Sequence, residues 1–128
     1  MIYLDTSVAL AHLLGETRRP SDNLWQSSLI ASRLLQYELW TRLNTRGLGT
    51  SHGEEARELL STVALVELAP PVLARALEPF PTAVRTLDAL HLATLLFVRG
   101  ESSAVRLATY DDRLAEAAVK LGVSLWDG

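Results

Sequence analysis

Ile2-Tyr3-Leu4-Asp5-Thr6-Ser7 sets three apolar residues, a carboxylate and two hydroxyls in a row. The apolar run suits a strand buried on both faces, as in a parallel sheet. Thr6 or Ser7 can then cap a helix that carries Val8, Leu10, Ala11, Leu13 and Leu14 and stops at Gly15. A strand, an acid at its carboxyl end and a helix directly behind it make the opening unit of an α/β fold.

The rest of the chain repeats that unit. Residues 16–23, with Arg18, Arg19, Pro20, Ser21 and Asp22, have loop chemistry. Leu29 to Leu34 predicts a second strand, and residues 35–46 a helix with Leu35, Leu39, Trp40 and Leu43 on its apolar face, stopped at Gly47. Ser51-His52-Gly53-Glu54 has the spacing of a capping box and predicts a helix from there to about Ser61. Ala64 to Leu68 is a third strand. Pro70 and Pro71 open a short helix that Pro79 and Pro81 end. The longest helical pattern runs from Thr82 or Thr86 to Arg99, closed by Gly100. Val105 to Thr109 is a fourth strand, Asp111 to Leu121 a helix with Gly122 past its end, and Val123 to Trp126 a last short strand. Near-strict alternation predicts a single α/β domain over residues 1–128. Its central sheet is mainly parallel, of four to five strands with right-handed crossovers, and flanked by helices. No repeat, linker or low-complexity segment interrupts it.

Composition sets the outer limits. A chain of 128 residues, 48% hydrophobic and 21% charged, suits one folded domain and excludes disorder. The absence of cysteine excludes a disulfide scaffold, a thiolate zinc finger and a thiol nucleophile. A net charge of −3 excludes a strongly basic nucleic-acid binder. No apolar stretch is long enough for a membrane span, and no basic segment precedes the first apolar run as in a signal peptide. A cytoplasmic protein is the expectation.

In such sheets, function gathers outside the carboxyl ends of the strands. Asp5 follows the first strand and Asp111 the fourth; Glu38 and Asp88 lie in the early turns of the helices after strand two and before strand four. Each acid has an ordinary alternative. Asp5 and Asp111 can cap helices, and Glu38 can pair with Arg42 four residues on. Asp88 is harder to dismiss, because the apolar neighbours in Val84-Arg85-Thr86-Leu87-Asp88-Ala89-Leu90 would make a lone carboxylate costly. Four converging carboxylates repel one another unless a cation neutralises them. Oxygen donors without cysteine point to a hard ion, Mg²⁺ or Mn²⁺, and to in-line hydrolysis of a phosphodiester.

These stretches together resemble the PIN-domain ribonucleases, and within them the VapC-type toxins of bacterial toxin–antitoxin pairs. The resemblance spans the whole chain. It is carried by Ile2-Tyr3-Leu4-Asp5-Thr6-Ser7, by Glu38 in Tyr-Glu-Leu-Trp, by Arg85 to Thr94, and by Thr109-Tyr110-Asp111 followed by Arg113-Leu114-Ala115. It implies a metal-dependent RNA endonuclease with Asp5, Glu38, Asp88 and Asp111 as its acidic quartet. Asp5 and Asp88 would be direct metal ligands; Glu38 and Asp111 would complete the shell, partly through water, and orient the nucleophile. It also implies a homodimer and a small antitoxin that blocks the acidic pocket. The antitoxin would bind DNA, and this chain alone would not. Asp111 matches the family register, with Asp112 as a first-turn residue.

Other residues have ordinary readings first. Thr6 caps a helix or holds a water, Thr109 is a β-branched strand residue, and His91, three after Asp88, is expected to be packed rather than a proton shuttle. His12 and His52 read as surface residues, and Trp25, Trp40 and Trp126 as core or dimer contacts. Arg42, Arg46, Arg85 and Arg113 lie near the expected acidic edge. Three rivals are weaker. A receiver-like phosphotransfer domain needs a lysine at a strand end, and the only lysine, Lys120, falls late in a helix. A non-catalytic binding module would not need all four acids. A PIN-domain nuclease of RNA processing differs in role rather than in chemistry. Setting the four acids aside leaves eleven acids against twelve bases, so the acidic balance is local to one pocket.

Overall fold

β1 (Ile2–Leu4) is the first element of the chain and the centre of its sheet. The computed structural model describes residues 1–100 and 104–128. After β1 come α1 (Thr6–Leu13), a 3-10 turn (Asp22–Gln26), β2 (Leu29–Ser32), α2 (Leu34–Thr45), α3 (Gly49–Ser61) and β3 (Val63–Val66). They are followed by α4 (Pro70–Ala76), α5 (Thr86–Arg99), β4 (Arg106–Ala108), α6 (Asp112–Lys120) and β5 (Ser124–Leu125). The sheet order is β3-β2-β1-β4-β5 and every neighbouring pair is parallel. Ile2 is level with Leu29 on one side and Arg106 on the other, and Leu4 with Ala108.

Strand alternation divides the core. Ile2, Leu4, Leu29 and Ala31 point to a cluster built with Val8 and Leu13 of α1, Leu35, Leu39 and Leu43 of α2, and Ala56 and Leu59 of α3. Tyr3 and Leu107 point the other way, to Leu92 and Leu95 of α5 and Leu114, Ala117 and Ala118 of α6. The sheet is therefore covered on both faces, which is why its strands read as unbroken apolar runs.

Local rules account for most boundaries. Pro70 and Pro71 occupy the first two positions of α4, where no amide donor is needed. Gly122, at φ 82°, lets the chain turn out of α6 in the left-handed region that side chains disfavour. Four expectations need correction. Ser51 does not cap α3: the helix starts two residues earlier, and the Ser51 hydroxyl donates back to the Leu48 carbonyl. Neither Thr6 nor Ser7 caps α1; Asp5 sits at the cap position and both hydroxyls are used elsewhere. Leu34 belongs to α2 rather than β2, because the Ser32 hydroxyl accepts from its amide and ends the strand. The 3-10 turn begins inside the segment read as loop, at Asp22, and runs on to Gln26, burying Leu24 completely.

Candidate active site

Strand order reverses beside β1. The chain builds outward through β2 and β3, then returns to place β4 and β5 on the other side. Such a reversal leaves a crevice at the carboxyl ends of the two strands between which it occurs, here β1 and β4. Asp5 follows β1 directly, and Asp111 caps α6 just after β4. Glu38 projects from α2 and Asp88 from the first turn of α5. All four carboxylates line one cavity of about 420 Å³.

Each carboxylate is tied to the protein mainly through one oxygen. Asp5 Oδ2 accepts the hydroxyls of Ser7 at 2.6 Å and Thr109 at 2.8 Å. Glu38 Oε1 faces Nε2 of His91 at 2.5 Å and accepts the Thr6 hydroxyl at 3.2 Å. Asp88 Oδ2 accepts from the Arg85 amide at 3.4 Å, and Asp111 Oδ1 accepts from the amides of Arg113 and Leu114. The other oxygens of Asp5, Glu38 and Asp88 carry no protein hydrogen bond among the described residues. They are not sealed off either, since the only buried side-chain polar atom without a partner there is Trp25 Nε1.

The charges are unevenly balanced. Arg85 spans two acids, with Nε 3.6 Å from Asp88 and Nη2 3.6 Å from Asp111. Glu38 has His91. Asp5 is only 6% exposed and has no ion pair among the described residues. A buried carboxylate held by hydroxyls alone, with one oxygen free, is a donor suited to a small hard cation. Asp88 and the free oxygens of its neighbours supply further oxygen donors of the same kind. Among the described residues no three acid or imidazole groups are drawn together into a ready-made metal cluster.

His91 departs from the expectation of simple packing. It is buried, yet hydrogen-bonded at both ring nitrogens: Nε2 to Glu38, and Nδ1 to the Tyr3 hydroxyl at 2.9 Å. The Tyr3 oxygen also accepts the Ser32 amide at 3.2 Å. Burial pulls the His91 pKa down, but the bonded Glu38 carboxylate, with Asp5 and Asp88 nearby, more than offsets this and raises it. Burial pushes the Tyr3 phenol up, so it stays protonated. Sequence spacing hints at His91 through its position three after Asp88, but Tyr3 leaves no such signal.

Other candidates disperse. Arg42 and Arg85 line the cavity; Arg46, Arg113 and Asp112 do not. Asp88 is largely covered, its side chain 14% exposed, although its neighbour Leu87 is 46% exposed. Ser7 and Thr109 both hold Asp5; from sequence Ser7 reads as a cap, and Thr109 as a strand residue that could otherwise cap or hold a water. The Ser7 oxygen accepts the Tyr110 amide and the Thr109 oxygen accepts that of Asp111, which pins the loop after β4 to the start of α1. His12 is exposed and its ring lies 4.5 Å from that of Trp25, while His52 bonds Ser51. Trp25, Trp40 and Trp126 pack against the larger core cluster. Lys120 pairs with Glu116 on the outside of α6, away from the cavity. No helix among the described residues is long and apolar enough to cross a membrane.

Comparison with known proteins identifies the family and the fold. The PIN domain family model matches residues 2–120. Ribonuclease VapC47 of Mycobacterium tuberculosis is 31% identical over 129 residues, covering 95% of this chain and 93% of that protein. Ribonuclease VapC46 of the same species is 33% identical over 130 residues, covering 97% and 95%. A toxin-antitoxin complex from Klebsiella pneumoniae contains a chain that superposes with a TM-score of 0.66 over 87% of each chain, at 18% identity, a likeness of fold.

Proposed function

The chain belongs to the PIN-domain family, among its VapC-type toxins, and from that footing we propose that it is a metal-dependent endoribonuclease. Its biological role is that of the toxin in a toxin–antitoxin pair. One observation carries the chemistry: four carboxylates from four separate segments line a single cavity at the strand reversal. Relatives named as ribonucleases support RNA as the substrate, and the neighbour solved as a toxin-antitoxin complex supports an antitoxin partner.

Asp5 and Asp88 are the residues to hold the ion, Mg²⁺ or Mn²⁺, through oxygens that the fold leaves free. A divalent ion held there would supply a more acidic water and neutralise charge on the phosphate and the leaving oxygen. Glu38 and Asp111 would orient the attacking water, and Oε2 of Glu38, which carries no protein hydrogen bond among the described residues, would take its proton. Arg85 and Arg42, at the cavity rim, bind the phosphate backbone of the RNA. The same rim is where an antitoxin segment would compete, and homodimerisation is a further part of the proposal.

Expression of the wild type beside Asp5→Ala and Asp88→Ala in a bacterial host, with cleavage of total RNA by the purified proteins, tests this. Growth arrest and Mg²⁺-dependent cleavage by the wild type alone are expected. A harmless wild type that cuts no RNA with either ion defeats the reading. Active alanine variants defeat the site assignment.

A further inference from the structure

Glu38 reaches the cavity on a side chain with three rotatable bonds, so its helix alone does not fix its carboxylate. Two donors do: the Thr6 hydroxyl at 3.2 Å and His91 Nε2 at 2.5 Å, both on Oε1. Behind His91 the bonding continues inward. Nδ1 meets the Tyr3 hydroxyl at 2.9 Å, and the Tyr3 oxygen accepts the Ser32 amide at 3.2 Å. Tyr3 is wholly buried and His91 is 3% exposed, and their rings meet edge to face. The chain of bonds starts on the backbone at the end of β2, passes through the centre of β1, crosses α5 and ends on an acid of α2.

We infer that Tyr3 and His91 form a buried relay that locks Glu38 in its working orientation, both serving as positioning residues for this acid. The inference rests on the nuclease reading above and assigns roles to two residues that it does not use. The phenol makes the relay independent of the imidazole's charge. With a neutral ring, the Ser32 amide occupies the phenol oxygen as donor, the phenol proton goes to Nδ1, and the ring proton sits on Nε2 facing Glu38. With a charged ring, Nδ1–H donates to the phenol oxygen and Nε2–H still faces Glu38. A carboxylate in place of the phenol could serve only the second state, and a methyl neither. Because both bonds to Glu38 fall on Oε1, the orientation that the relay enforces leaves Oε2 available to the cavity.

Two readouts test this, one needing neither RNA nor metal. In the metal-free protein, nitrogen-15 NMR of the His91 ring is expected to show a proton on Nε2, with Tyr3→Phe displacing the Nδ1 resonance and Glu38→Gln the Nε2 resonance. Resonances indifferent to both substitutions overturn the relay. In Mg²⁺-dependent RNA cleavage, His91→Leu keeps the volume but removes the donor, and is expected to lose roughly 10²-fold in kcat with little change in KM. His91→Gln restores an N–H at the Nε2 position and is expected to recover to within about tenfold of wild type. A folded His91→Leu protein with wild-type kcat overturns the inference, and so do equal losses for Leu and Gln, which would mark a packing role. Should His91→Leu not fold, Tyr3→Phe replaces it, with a loss of kcat expected and an unchanged kcat overturning. If the wild type itself cuts no RNA, the nuclease reading fails while the ring spectrum still decides the relay.

Discussion

Thr109 donates its hydroxyl to Asp5 across 2.8 Å and so joins the carboxyl ends of β4 and β1. The same oxygen accepts the Asp111 amide at 3.0 Å. One side chain thus positions two of the four acids. Thr109→Val preserves shape and removes both bonds, and should destabilise the fold by about 1–2 kcal/mol. RNA cleavage should fall about tenfold, with Thr109→Ser retaining most of both. Thermal unfolding and initial rates check this.

Asp5 is buried, with hydroxyl partners and no ion pair among the described residues, so its charge is a local burden that the proposed ion would relieve. Asp5→Asn keeps an acceptor for Ser7 and Thr109 and removes the charge. In metal-free buffer it should raise stability by about 1 kcal/mol, or some 3–5 °C in Tm. It should also abolish cleavage and the rise in Tm that millimolar Mg²⁺ is expected to produce in the wild type. A variant melting below the wild type, or still stabilised by Mg²⁺, contradicts this.

Arg85 lies on two acids of the cavity while remaining 67% exposed. It therefore competes with a cation for Asp88 and Asp111 and, on the reading above, attracts the RNA backbone. Arg85→Ala should move two constants in opposite directions. Mg²⁺ should bind several-fold tighter, and KM for RNA should rise about tenfold with a weaker dependence on salt. Calorimetric titration of Mg²⁺ and kinetics at two ionic strengths measure both.

His91 titrates above its ordinary value because Glu38, Asp5 and Asp88 favour its charged form more than burial opposes it. A proton bound more tightly in the folded chain stabilises it fully below the unfolded pKa of about 6.5. That contribution disappears as pH rises through the higher folded pKa. Metal-free wild type should therefore lose stability as pH rises from about 6.5, and Glu38→Gln should flatten the loss. Denaturant unfolding across pH 5.5–9, read beside the His91 ring protons, checks the sign.

The sheet and its order of elements were legible because both faces of the strands are covered, which makes each strand an apolar run with a turn signal behind it. Pro70, Pro71 and Gly122 announced helix ends through backbone chemistry that holds in any fold. Ser51 misled because a hydroxyl three residues before a glutamate is a cap only if the helix begins there, and the Leu48–Gly49 turn starts it sooner. The four acids were legible as positions after strands and in early helical turns, and the structure lines one cavity with them. The bonds that hold them were not. Tyr3 and His91 are 88 residues apart, and Ser7 and Thr109 are 102 apart. Nothing in local spacing pairs them, and a buried tyrosine in an apolar strand looks like any other core residue.

The strand at the middle of the sheet precedes its neighbours in the chain, and the edge that β4 covers stays open until Arg106–Ala108 have been made. Thr109 and Asp111 arrive immediately behind that strand. The covering of that edge of β1 and the completion of the acidic cavity are thus one event. A chain emerging from a ribosome, surrounded by RNA, carries Asp5 and Glu38 long before it can arrange them against Asp111. On the proposed reading, the acidic cavity lacks its last carboxylate until the growing polypeptide has passed position 111.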